Sequence, residues 1–277
     1  FEKDNIKSII AKCVKIASAT ARLKEKISLS EEKPNRAEYE VKQKLRIEDV
    51  SQKEKLRLLF DIDKRAMEGG ANVIGRYLSY SDFYTEKYFV NSEGSSIYSK
   101  IPRTDYFYFI TVNEAGKSSQ RYWQYGDAAG FEKILSRNLP ELMQNEVAAM
   151  GKNLKEGIPA PKEKIDVVVG PQVTGIMSHE SVGHPYEADR ILGREAAQAG
   201  ESFLAPDSLK TRIGSSKVTV ADDPTIENSY GFYLYDDEGV KVGKRLLIKN
   251  GIVEEFLHNR ETASEFSTKS NGSARAN

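Results

Sequence analysis

An α+β fold, with antiparallel β-sheets and packed helices, is predicted by three features of the sequence. Apolar residues recur at helical spacing near the N-terminus and again after residue 51. Residues 77–125 are dense in aromatic and β-branched side chains, interrupted by Asn/Gly turn signals. A helix that carries two of the chain's three histidines then opens the C-terminal half.

In the first element, from Asp4 to about Lys26, Ile6, Ile9, Ile10, Cys13, Val14, Ala17 and Ala21 fall on one helix face, and Asp4 stands where a cap is needed. Cys13 lies on that stripe and is expected to be a small core residue. Residues 28–40, around Pro34-Asn35-Arg36, are charged and read as a loop. A second helix is expected from Ser51. Ser51 and Glu54 match a capping box, and Leu56, Leu58, Leu59, Ile62 and Ala66 follow before Gly69-Gly70.

The hydrophobic period then changes from 3.6 to 2. An antiparallel meander is expected, with strands near 73–79, 86–90, 96–101, 105–112 and 118–124. Tyr106-Phe107-Tyr108-Phe109 could stack on bases. Without interleaved basic residues it reads as a strand in a sheet covered on both faces. Residues 130–155 return to helix, with Pro140 suited to a first turn.

Gly157-Ile158-Pro159-Ala160-Pro161 is a stiff linker. It divides an N-terminal α+β region, 1–156, from a second region, 162–277. Ile165 to Val169 reads as a short buried strand, and Gln172 to about Gly183 as a helix. The Ala/Gly-rich residues 193–202 form a candidate mobile loop. Strands are expected at 217–220, 231–235, 244–248 and 252–257, with Asn250-Gly251 a strong hairpin signal.

Composition narrows the function. Hydrophobic content of 39% and charged content of 30% are those of a soluble globular protein. A net charge of zero argues against direct nucleic-acid binding or attraction to a membrane surface. One cysteine excludes an internal disulfide and fits a reducing compartment, and no apolar run reaches membrane-spanning length. A cytoplasmic protein is expected.

The chemistry concentrates in His179-Glu180-Ser181-Val182-Gly183-His184. Imidazoles bind Zn²⁺ and similar ions, and a neighbouring carboxylate can take a proton from metal-bound water. The better-known H-E-x-x-H motif places its histidines at i and i+4, on one helix face. Here the spacing is i and i+5, so on a regular helix the rings diverge by about 140°. Convergence requires a π-bulge or a helix end. Gly183 weakens the helix, and Pro185 disfavours α geometry at His184. Glu187 and Asp189 stand close enough to act as a ligand, to orient a histidine or to touch substrate. Otherwise they are surface acids.

The surrounding motifs carry a resemblance. Val167-Val168-Val169-Gly170-Pro171-Gln172-Val173-Thr174-Gly175 leads into the histidine pair, and Pro185-Tyr186-Glu187-Ala188-Asp189 leads out. Asp236-Asp237-Glu238-Gly239-Val240 and Asn271-Gly272-Ser273-Ala274-Arg275 follow. In this order they resemble the TldD/PmbA family of metallopeptidases, first described as modulators of DNA gyrase. This chain looks like the type that carries H-E-x-x-x-H.

The resemblance implies a metal-dependent peptidase acting on unfolded or extended peptides. His179 and His184 would be metal ligands and Glu180 the catalytic base. The cofactor would be Zn²⁺ or another first-row divalent metal. It also implies pairing, as a homodimer or as a heterodimer with an inactive paralogue. The family's third ligand is a cysteine downstream of the histidines, whereas Cys13 lies upstream. His258 matches no family ligand. The chain is therefore expected to be a fragment, with the third ligand beyond residue 277 and an apolar surface exposed near residues 217–257. Two alternatives stay open: a metal hydrolase that does not cut peptides, and a regulatory or binding protein whose histidine pair is structural.

Overall fold

The structure, a computed structural model, describes residues 5–22, 27–194 and 201–275. Helix α1 spans Ile6–Thr20. Its apolar stripe is exposed, and so is Cys13, which corrects the expectation that this thiol belongs to a core. The proposed Asp4 cap lies outside the described residues. Strand β1, Arg36–Glu40, replaces the expected charged loop. Its Arg-Ala-Glu-Tyr-Glu sequence holds few apolar residues because only alternate positions turn inward. Helix α2, Gln52–Met67, starts at the Ser51–Glu54 capping box.

Three long strands follow: β2 (Val73–Val90), β3 (Ser96–Glu114) and β4 (Lys117–Asp127). The five short strands read from the sequence merge into three: residues 80–85 of β2 pair without a break with β3, and β3 is not interrupted by Pro102. It falls between residue 100, where β1 stops pairing with β3, and residue 104, where β4 starts. A missing N–H is tolerated where a strand has no second neighbour. β1 pairs parallel with β3, while β2 and β4 pair antiparallel with it.

Helices α3 (Phe131–Ser136) and α4 (Leu139–Glu156) are separated by Asn138, whose φ of 48° is left-handed. They and α2 cover one face of the sheet. Tyr106, Tyr108, Ile110 and Val112 bury there against Ile62, Ile134, Met143 and Val147. Each such side chain contributes on the order of 1.5–3 kcal/mol. Phe107 and Phe109 are only half-buried, and Tyr77 and Tyr122 are exposed. Around Tyr106–Phe109 the sheet is thus covered on one face, not on both, whereas nearer the start of β3 Ile97, Ile101 and Arg103 bury on the opposite face.

Residues 157–170 carry no helix or strand, and Val167 and Val168 are exposed. The buried strand expected at 165–169 is absent because no neighbouring strand pairs with it among the described residues. Helix α5, Pro171–Ser178, leads into the site, and the four-residue α6, Ala188–Ile191, leads out. The loop expected at 193–202 lies partly outside the described residues.

A small sheet closes the chain: β5 (Val220–Asp222), β6 (Arg245–Lys249) and β7 (Ile252–Val253), followed by helix α7, Arg260–Glu265. Asn250 and Gly251 turn between β6 and β7 with φ of 52° and 77°, as a tight hairpin requires. The strand expected at 231–235 is an irregular segment held by a bridge from Tyr235 to Lys241. A second core gathers Val182, Tyr186, Ile191, Leu247, Val253 and Phe256. Near residues 217–257 only scattered residues such as Val218 and Ile226 are exposed; the larger exposed apolar stretches are α1 and residues 165–177. No described helix is long and apolar enough to cross a membrane.

Buried arginines tie the two halves together. Arg260 donates to both Glu93 carboxylate oxygens, at 2.6 and 2.7 Å, and to the Ser30 carbonyl at 2.9 Å. Arg103 of β3 donates to the carbonyls of Tyr230 and Phe232, at 2.9 and 3.2 Å.

His258 packs against Phe256 and Phe266, and burial lowers its pKa to about 4. Its folded pKa lies below its ordinary value near 6.5. The unfolded chain therefore binds the extra proton between about pH 6.5 and pH 4, and stability falls as pH drops through that window. On the order of 3 kcal/mol is at stake. In urea titrations across this range, His258→Leu should lack that component. An identical pH dependence in both proteins would show that His258 is not its source.

Candidate metal centre

Regular helix ends at Ser178, and His179–Gly183 form a π turn. The His184 backbone N–H donates to the His179 carbonyl, a bond that spans five residues instead of four. That change brings the two imidazoles together, with ring centroids 4.4 Å apart. His184 itself keeps α geometry, with φ −59° and ψ −46°. Pro185 therefore does not act by displacing His184, as the sequence suggested. It fits the first turn of the short 3₁₀ helix His184–Tyr186, where its missing N–H needs no partner.

Donor atoms of His179, Glu180 and His184 all lie within 4.8 Å of one another. Among the described residues this is the one such grouping of His, Cys, Asp and Glu. The Glu180 carboxylate approaches the Nε2 of His179 to 4.0 Å. His179 and Glu180 are exposed, and His184 is partly buried.

Glu187 orients the second histidine. Its Oε1 lies 2.7 Å from Nδ1 of His184, and its Oε2 accepts the Nε–H of Arg190 at 2.6 Å. A carboxylate only accepts, so the ring proton sits on Nδ1 and Nε2 keeps its lone pair. Carboxylate support of this kind fixes a metal-binding imidazole. Asp189 accepts the Arg190 backbone N–H at 2.9 Å and lines the same cleft.

These donors fit a first-row divalent ion. Ligands about 2.1 Å from a tetrahedral ion stand roughly 3–4 Å apart, a small adjustment for side chains this exposed. Two imidazoles favour zinc and its neighbours over magnesium or calcium. Cys13, on α1, is not part of the group. His258 lies in the second core, with its Nδ1 3.3 Å from the Thr262 hydroxyl.

The centre opens on a cleft of about 960 Å³. Much of its wall could not be read from the sequence: Arg103, Asp222, Tyr230, Tyr233, Arg245 and Asn259 come from scattered segments without a shared motif. Apart from the histidine segment, the wall carried a signal only at Asn271 to Arg275, and the structure joins that motif to the Asp236 turn. The Asp236 carboxylate accepts backbone N–H groups of Glu238, Val240 and Ala274, at 3.0, 2.8 and 3.2 Å. Asn271 accepts the His258 N–H and donates to the Phe256 carbonyl.

Comparison with known proteins agrees with this architecture. Residues 45–156 match the PmbA/TldA metallopeptidase central domain, and residues 162–277 the C-terminal domain. A metalloprotease of Methanocaldococcus jannaschii is 34% identical over 279 residues, covering 99% of this chain and 58% of that protein. A zinc metalloprotease TldD homologue of Saccharolobus solfataricus is 32% identical over 111 residues, covering 40% of this chain and 23% of that protein. The crystal structure of TldE from Thermococcus kodakarensis superposes with a TM-score of 0.69 at 19% identity, covering 98% of this chain and 58% of that one. The chain thus spans little more than half the length of the Methanocaldococcus relative. Two adjoining family domains, matched in their family order, account for most of the chain, which belongs to the PmbA/TldD metallopeptidase family.

Proposed function

We propose that the chain supplies the metal-binding and proton-transfer groups of a peptidase that hydrolyses extended or unfolded peptides. The observation that carries this reading is the convergence of His179, Glu180 and His184 at the mouth of the cleft. His179 and His184 would hold the ion, and the zinc metalloprotease named among the relatives favours Zn²⁺. When bound, zinc supplies a Lewis acid that polarises a carbonyl and makes water a nucleophile near neutral pH.

The chain's own residues do the rest. Glu180 accepts a proton from the attacking water on its free carboxylate and returns it to the leaving amine. Glu187 holds His184 in the tautomer that presents Nε2, while Arg190 keeps Glu187 in place. A cleft of this size admits an extended main chain.

In the full chain, Glu180→Gln should keep its metal content and lose about 10²–10⁴-fold in hydrolysis of unfolded casein. The amide cannot accept a proton, and the imidazoles are untouched. Metal content follows from elemental analysis and turnover from peptide release. Undiminished turnover would move the base elsewhere. Hydrolysis of small amides without any cleavage of casein would favour a non-proteolytic hydrolase.

Glu187→Gln tests the support of His184. Metal affinity should weaken about 10–100-fold. Competition with a chromogenic chelator reads the constant directly, and an unchanged value would leave Glu187 a purely structural group.

A further inference from the structure

The cleft beside the histidines carries an excess of guanidinium groups. Arg103, Arg190, Arg245 and Arg275 line it, against the carboxylates of Glu187, Asp189 and Asp222. Glu187 is paired with Arg190, and Asp222 with Arg245, each at 2.6 Å. Asp189 is held by the Arg190 backbone N–H. Among the described residues no carboxylate pairs with Arg103 or Arg275.

Arg103 is 5% exposed. Two of its five N–H donors reach the Tyr230 and Phe232 carbonyls, which leaves three uncommitted. Burial and the nearby charge of Arg275 both lower its pKa. Two cations thus sit close together without a paired carboxylate, an arrangement that favours an anion between them. Aromatic rings hold both in place. The Arg103 guanidinium lies 6.0 Å from the Tyr230 ring centroid, and that of Arg275 4.7 Å from the Tyr233 ring. Gly126 makes room for Tyr230: a Cβ there would stand 2.5 Å from the ring. Beside them, Arg245 is 3% exposed, and its Nε is buried with no hydrogen-bond partner among the described residues. A buried donor without an acceptor marks a place where one is missing.

We propose that Arg103 and Arg275 form a carboxylate-binding subsite that receives an acidic group of the peptide substrate. This rests on the peptidase reading above. A planar guanidinium donates two parallel N–H groups to a carboxylate, and a partly desolvated pair discriminates strongly against a neutral amide. The carboxylate comes either from the substrate's C-terminus or from an Asp or Glu side chain. The subsite selects which peptides enter and in what register, and leaves the hydrolytic groups unchanged.

Binding separates the sources. In the full chain carrying Glu180→Gln, fluorescence anisotropy gives the Kd of one labelled extended peptide in four forms: fully acidic, C-terminally amidated, with Asp and Glu replaced by Asn and Gln, and neutralised at both. Loss of the recognised carboxylate should weaken binding about tenfold or more, and the form that loses affinity names its source. Arg275→Gln should erase the difference, and added salt should shrink it. Arg103 is buried, so Arg103→Lys, which keeps the charge and loses the fork, is the second variant; it should reduce the preference. Equal Kd for all four peptides would overturn the subsite while the peptidase reading stands. So would a preference that survives both substitutions. Binding of none of them would overturn the peptide-substrate reading, and the subsite with it.

Discussion

One backbone hydrogen bond, from the His184 N–H to the His179 carbonyl, sets the geometry on which the candidate centre depends. At 3.6 residues per turn, side chains five apart face different directions. Widening a single turn puts both imidazoles and Glu180 around one point. The other faces of the same segment are anchored. Val182 and Tyr186 bury in the second core, and the Tyr186 carbonyl accepts the Leu257 N–H at 2.8 Å. Ala188 donates back to the Leu257 carbonyl at 3.0 Å. The histidines are therefore presented at the surface by residues that cannot move independently of the core.

The cleft is composite in the same sense. β2 and β3 bring Phe83 and Arg103 from the first half, and the histidine segment, residues 230–233, 257–262 and 273–275, with Asp222 and Arg245, come from the second. The Asp236 turn fastens residue 274, and Asn271 fastens residues 256–258. Two motifs that look unrelated along the chain thus meet as one hydrogen-bonded brace. Burial raises the pKa of Asp236 to about 6, so the brace holds a carboxylate under desolvation that three backbone amides offset only in part.

Local signals in the sequence proved legible when their partners lie within a few residues. Ser51 finds Glu54 three positions on, and Asn250-Gly251 needs only its own backbone angles. His179, Glu180 and His184 belong here too, since the motif itself demanded a departure from α geometry and the π turn supplies it. The misread elements depend on distant partners. β1 is a strand because β3 lies beside it, with Asn35 bonded to Ser95. Cys13 sits on a helical stripe that is exposed all the same, and residues 165–169 are apolar yet unpaired among the described residues.

The sequence by itself determined the capped start of α2, the hairpin turn and the identity of the metal-binding candidates, because capping, turn and ligand chemistry act over short spans of chain. Only the tertiary structure decided the strand lengths, the covered and open faces of the sheet, and the arginine-lined cleft. Those depend on which remote residues become neighbours, and side-chain pairing across a hundred residues or more leaves no periodic trace in either partner.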